Sequence, residues 1–385
     1  MKFLFASDSF KGTLSSEKII QLLTQSAKEV FPGCETGGTL IADGGEGTVD
    51  AVIAMTRGSM IEVDVHGPLM EETKAVYGRI SDSSAIIEMA AASGLPMVPT
   101  ELRNPLHTTT YGTGELIRDA LDKGFRDISI ALGGSATNDG GMGAMAALGV
   151  KFFDQEGQEL KGTGSDLAKV RRVDVSGLHP AVKETKFTVM CDVNNPLTGP
   201  DGATYTFGKQ KGGTPEILDE LEAGMKSYAQ VVGAALGKDI DNLPGAGAAG
   251  GLGAAVCGFL NATLKSGIET VLDLIDFDQM LEGVDVVVTG EGRIDWQSAF
   301  GKVPSGIGMR CKKKGIPAVA IVGGMGKGAE KIYEFGVDSI IPTINGAMDI
   351  EEALERAEEL YKGAADRMFR FLKVGMSITE KASCS

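Results

Sequence analysis

The sequence predicts an α/β protein of two domains, a doubly wound parallel sheet interrupted by a second α/β domain with a mixed sheet. Three observations predict it. Short apolar segments alternate with helical periodicity at both ends of the chain, and polar loops follow the apolar segments. The middle instead carries short strand-like runs joined by turns. At 385 residues, the chain is too long for one ordinary core.

Phe3 to Ala6 reads as a buried first strand. Ile19, Ile20, Leu22, Leu23, Ala27 and Val30 follow at helical spacing, with Ser15 as N-cap. A second strand is expected to end near Ile41-Ala42, before a helix from Gly47 through Met55. Met60 to Val65, Lys74 to Ile80 and Ala85 to Met89 read as antiparallel or mixed strands. Thr214-Pro215 opens a helix carrying Ile217, Leu218, Leu221, Met225 and Tyr228. Val284 to Thr289 is β-branched and apolar, as a central parallel strand is. A helix around 306–314 and strands Ala318 to Val322 and Ser339 to Ile344 follow. A long helix from Asp349 closes the chain, with capping-box spacing to Glu352. The expected domains are 1–63 with 285–385, and 64–284 inserted between them, the active site lying in the cleft.

Composition excludes several classes. A net charge of −15 argues against a nucleic-acid scaffold. Five scattered cysteines without a C-x-x-C pair argue against zinc and a disulfide framework. Three dispersed histidines read as structural. The N-terminus meets Asp8 too early for a signal peptide, and no apolar run is long enough to span a membrane, so a cytoplasmic protein is expected.

The chemistry is expected in six polar or glycine-rich motifs. Asp8-Ser9-Phe10-Lys11-Gly12 follows the first strand, and Ala42-Asp43-Gly44-Gly45-Glu46-Gly47-Thr48 follows the second. Gly133-Gly134-Ser135-Ala136-Thr137-Asn138-Asp139-Gly140-Gly141 stands between a strand and a helix, as an anion cradle does. Asp139 there makes sense as a metal partner or proton acceptor. Cys191-Asp192-Val193-Asn194-Asn195-Pro196-Leu197 comes next, with Lys211 a little beyond it. Pro244 to Gly251 contains Gly245-x-Gly247-x-x-Gly250, but no strand precedes it, so it lacks the context of a dinucleotide site. Thr289-Gly290-Glu291-Gly292-Arg293-Ile294-Asp295 is expected as a loop after the Val286 to Val288 strand. Many carboxylates and few histidines, with lysines beside glycines, suit Mg²⁺-assisted phosphoryl transfer. Any single Asp or Glu among them reads equally as a helix cap or turn former.

Taken in order, these motifs resemble the class I glycerate kinases of bacteria. Glu88 to Leu95, Tyr111 to Leu116 and Gly301-Lys302-Val303-Pro304 match as well, so the resemblance runs from the first strand to the last helix. Departures are local: Lys209, Trp296 and Thr39-Leu40-Ile41 stand where other residues are common. The resemblance implies a flavodoxin-like first domain and ATP-dependent phosphorylation of D-glycerate to 2-phosphoglycerate. Phosphorylation at the 3-hydroxyl and a non-catalytic sugar-acid binder are the alternatives. ATP and Mg²⁺ are the expected cofactors, and D-glycerate and ATP the partners of a monomer or homodimer. Asp192, Lys11 and Lys211 are then the catalytic candidates, with Asp192 the base. Asp8, Ser9, Asp43, Glu46, Asn138 and Asp139 are the substrate candidates. Gly133, Gly134, Ser135, Gly247 and Gly250 are the ATP and phosphate candidates, and Glu291 and Asp295 the metal candidates.

Overall fold

A computed structural model describes residues 1–383 other than Lys11, Asp43, Glu46 and Phe300. The described residues form strands β1 (Lys2–Phe5), β2 (Glu35–Gly38), β3 (Ser59–His66), β4 (Glu72–Arg79), β5 (Ser84–Glu88), β6 (Asp127–Ala131), β7 (Lys151–Phe153), β8 (Arg172–Asp174), β9 (Lys186–Met190), β10 (Thr263–Lys265), β11 (Val286–Ile294), β12 (Ala318–Met325) and β13 (Ser339–Pro342). The chain divides into two compact units, Met1–Asp43 with Val271–Ser385, and Gly44–Thr270. The dividing points lie at 43 and 271, where the sequence suggested 63 and 285. β3 pairs along its whole length with β4, which places it in the sheet of the second unit.

The first unit holds a five-stranded, all-parallel sheet in the order β13-β12-β11-β1-β2. Counted within the unit, that is the flavodoxin-like order 2-1-3-4-5, which reverses direction between β1 and β11. Both faces are covered, so the strands read as continuous apolar runs. Val319 and Ile321 pack into one cluster with Phe3, Phe5 and Phe369. Ala320 and Val322, on the other face, pack with Ala329 and Ile332. The helix Ser16–Val30 begins where the Ser15 side chain accepts the Lys18 N–H at 3.3 Å, and it buries Ile19, Leu22, Leu23 and Ala27. Each such aliphatic side chain contributes roughly 1.5–3 kcal/mol by leaving water.

Three expectations are corrected here. The second strand is Glu35–Gly38, ahead of Ile41-Ala42. It is an edge strand, paired only with β1, and needs no apolar run; a Cβ on Gly38 would lie 2.4 Å from Ile20, so the overlying helix requires glycine there. The closing helix is two helices, Ile350–Glu355 and Ala357–Ser383, with Arg356 off helical geometry between them; the Asp349 cap is as expected, its carboxylate accepting the Glu352 N–H at 2.8 Å. The third correction concerns chemistry. Thr289 to Ile294 is not a loop but the carboxyl half of β11, in register with β12 as far as Ile294 opposite Met325. The glycines permit this. A Cβ on Gly290 would lie 2.0 Å from the Ile321 carbonyl oxygen, and one on Gly323 2.4 Å from that of Gly292.

The second unit holds a six-stranded mixed sheet, β10-β9-β6-β5-β4-β3. β10, β9, β6 and β5 run parallel, and β4 and β3 antiparallel. Ile128, Ile130, Phe187 and Val189 form its core with Leu116, Ile117, Leu252 and Val256 from helices Tyr111–Asp122 and Leu252–Leu260. β7 and β8 form a separate antiparallel pair.

Candidate active site

Each sheet carries its candidate residues at its carboxyl edge, the edge where open parallel sheets place ligands. Lys11, Asp43 and Glu46 lie outside the described residues.

In the second unit, β6 ends at Ala131 beside Met190 of β9. Gly133 and Gly134 follow β6, and both are exposed. Asp192 follows β9, also exposed, and its Oδ1 accepts the N–H of Gly267 at 3.0 Å, at the start of the helix Gly267–Leu274. The 44–45 loop comes to the same edge. A Cβ on Gly44 would lie 2.9 Å from Gly267 Cα, and one on Gly133 3.3 Å from Gly45 Cα. This loop is fixed from below by Glu88, at the end of β5, whose carboxylate accepts the Val49 N–H at 2.8 Å. Burial raises the Glu88 pKa, and nearby Asp50 adds to the rise, against the pull of the Val49, Gly47 and Thr48 N–H groups. Glu88 entered the sequence reading only as part of a motif. Its position at a strand end, facing the amino end of helix Thr48–Thr56, gives it the role of holding that loop.

Several expected site residues are instead interior. Asp139 is fully buried and accepts four hydrogen bonds: Thr110 N–H and Oγ1–H at 2.7 Å each, Gly141 N–H at 3.0 Å and Gly143 N–H at 3.2 Å. Burial raises its pKa and those donors hold it down. It ties the start of helix Tyr111–Asp122 to the start of helix Met142–Ala147 and has no face left for substrate. Asn138 is equally buried, its Nδ2 donating to Thr204 Oγ1 at 3.1 Å. Gly247 and Gly250 are buried where backbones cross: added Cβ atoms would lie 2.3 Å from the Pro196 oxygen and 2.0 Å from the Thr137 oxygen. The Gly140 N–H donates to the Gly250 oxygen at 2.9 Å. These glycines make room for packing, not for phosphate.

Lys211 is 2% exposed. Its Nζ donates to Ser135 Oγ at 2.8 Å and to the Thr137 oxygen at 2.6 Å. Burial pushes its pKa down to about 7, against the opposing charge of Asp139. Through these two bonds the buried Lys211 fixes the 133–137 loop from beneath. Ser135, 8% exposed, is the residue it holds.

In the first unit, Asp8 and Ser9 follow β1 and Glu291 lies on β11, so both sides of the point where strand order reverses are acidic. Asp8 Oδ1 accepts the Ser9 N–H at 2.7 Å. Glu291 Oε2 pairs with Lys302 Nζ at 3.3 Å, while its Oε1 is buried without a hydrogen-bond partner. Burial raises the Glu291 pKa and Asp8 adds to the rise, against the nearby Ser298 hydroxyl and the Lys302 ammonium. Asp295 lies past the last paired residue of β11, four residues along an extended chain from Glu291, roughly 13 Å away. Lys302 was noted only within a matching motif; the signal for it is a lysine at the N-cap of helix Val303–Lys314.

Among the described residues no group of three or more Asp, Glu, His or Cys side chains is arranged to hold a metal. Asp8 and the orphaned Glu291 oxygen do fit Mg²⁺ carried in by a phosphate ligand, which uses one or two carboxylates and keeps its waters. No helix among the described residues is long and apolar enough to cross a membrane.

The model of the glycerate kinase family matches residues 3–373. The chain belongs to the glycerate kinase family. It is 43% identical over 379 residues to a glycerate kinase of Bacillus subtilis, covering 98% of this chain and 99% of that one. Identity is 42% to the glycerate 2-kinase of Escherichia coli, again over 98% and 99% of the two chains. The crystal structure of a Salmonella typhimurium protein assigned as glycerate kinase 2 superposes with a TM-score of 0.87 at 42% identity, over 98% and 99%. This family member is thus an enzyme of the kinase class. The two-unit α/β fold with one parallel and one mixed sheet is the fold expected of it. Its departures from the family pattern leave the acidic motifs intact; Trp296 is 51% exposed.

Proposed function

We propose that this glycerate kinase transfers the γ-phosphoryl group of ATP to the 2-hydroxyl of D-glycerate, giving 2-phosphoglycerate and ADP. The observation that carries the reading is identity of 42% over 98% of the chain with a protein named for the 2-kinase reaction. Exposed Asp192 orients the substrate hydroxyl and accepts its proton as the new O–P bond forms and the bond to the β-phosphate oxygen breaks. One Asp192 oxygen is fixed by Gly267, which leaves the carboxylate oriented for that task. Gly133 and Gly134 offer exposed backbone to phosphoryl oxygens, on a loop held by Lys211. Asp8 and Glu291 would hold Mg²⁺, which on binding neutralises phosphate charge. Lys302, paired with Glu291, is a cation for phosphate in the first unit, and the protein is expected to act in the cytoplasm.

A ³¹P NMR end-point assay with ATP, Mg²⁺ and D-glycerate tests this. A phosphomonoester signal of 2-phosphoglycerate is expected. A signal of 3-phosphoglycerate would reassign the attacked hydroxyl, and no transfer with glycerate still bound would leave a non-catalytic binder.

A further inference from the structure

A cavity of ≈ 720 Å³ opens at the carboxyl edge of the five-stranded sheet and is lined entirely by the first unit. Its residues come from both sides of the strand-order reversal, Asp8 and Ser9 after β1 and Glu291 on β11. Its two ends differ in chemistry. One end carries Asp8, Glu291 and Lys302, while Arg293 stands opposite Gly324. The other is walled by Met325, Ile344, Ile350 and Leu354, which remain 50%, 39%, 69% and 51% exposed. Four large apolar side chains left in water around one concave wall mark a place where an apolar surface docks. Gly292, Gly323 and Gly324 form the stretch between. Nothing lies within 4 Å of where a Gly324 Cβ would stand, so a flat group can lie against backbone there. At the polar end, Glu291 is 6% exposed and keeps one oxygen without a hydrogen-bond partner.

We propose that this cavity is the nucleoside subsite: a purine base lies against Gly324 between Met325 and Leu354, and its phosphates run toward Lys302, Asp8 and Glu291. The proposal rests on the reading of the protein as an ATP-dependent kinase. D-glycerate is a poor occupant, since it has no face for the apolar wall. A nucleotide satisfies both ends, with Lys302 meeting phosphate charge and the carboxylates meeting the cation that nucleotides carry.

The test is calorimetric titration of the full chain with ADP and Mg²⁺, for the wild type, Gly324→Val and Leu354→Asp, together with steady-state kinetics. Valine suits a strand, and its side chain enters open space, so the fold should tolerate it. Each variant is expected to raise the ADP Kd and the ATP KM at least about tenfold, with the glycerate KM changed less than about twofold. Unchanged ADP affinity in both variants, or no ADP binding by the wild type, would overturn the subsite. So would a rise confined to the glycerate KM, which would make the cavity the acceptor site. A wild type that binds ADP, loses it in the variants, and yet transfers nothing to glycerate would sink the acceptor assignment and leave the nucleoside subsite standing.

Discussion

Asp192 and Lys211 are both polar groups on the carboxyl side of the mixed sheet, and burial separates their roles. Asp192 is exposed, and its Oδ1 accepts the Gly267 N–H. Asn in its place keeps an oxygen for that N–H but cannot take a proton. Asp192→Asn is therefore expected to lower kcat by about 10²–10⁴ with an unchanged melting temperature. Turnover near that of the wild type would remove Asp192 as base. Lys211 makes the opposite prediction. Its folded pKa of about 7 lies below the unfolded lysine value, so between the two the unfolded chain binds the extra proton. Stability from this group therefore falls as pH drops from about 10 to 7, by up to about 1.4 kcal/mol per pH unit, and levels off below. Urea unfolding of wild type and Lys211→Met across that range should show the slope in the wild type and its loss in the variant. Parallel curves would mean that Lys211 is charged in the fold. The sequence put both residues in one catalytic set, because spacing reports chemical type and not burial.

At the level of elements, glycine does two different jobs that read alike in sequence. In β11 the run Thr289-Gly290-Glu291-Gly292 has the composition of a loop, yet it is strand, because Gly290 on β11 and Gly323 on β12 let the two strands come close. The consequence for the site is direct: Glu291 stands on a rigid ladder beside Asp8 and Lys302 rather than on a loop. Gly290→Ala would drive a Cβ to 2.0 Å from the Ile321 oxygen, whereas Gly324 faces open space. Gly290→Ala is expected to cost about 3 kcal/mol or more, and Gly324→Ala less than about 1. Equal melting temperatures for the two variants would show that β12 shifts at little cost. The glycines at 247 and 250 belong to the same class, serving backbone crossings within the second unit. Caps were more legible than glycines. Ser15, Thr214 and Asp349 all accept the backbone N–H that an N-cap accepts, since capping depends on a local side-chain oxygen and little else.

At the scale of the whole molecule, the alternation of strands and helices at both termini was enough to predict a parallel sheet built from both ends of the chain. The boundaries were harder, because no composition shift marks them: the 42–48 motif straddles Asp43 and Gly44, and a helix begins at Gly267, just ahead of Val271. The two units differ in how the chain supplies them. Residues 44–270 are continuous, and their core closes on itself, from Val65 and Tyr77 through Ile130 and Phe187 to Leu260. The other unit needs both termini, since β1 lies between β2 and β11, and Phe3 packs on Phe369 with ring centroids 5.1 Å apart. A fragment of residues 44–270 is therefore expected to unfold cooperatively on heating, with protected amides in β5, β6 and β9. A chain lacking residues 1–43 should keep that transition and lose the protection of β11 and β12, whose neighbour β1 is gone. A fragment 44–270 that melts without a transition would mean that its core is not sufficient alone. Protection of β11 surviving the N-terminal deletion would mean that the parallel sheet does not depend on its central strand.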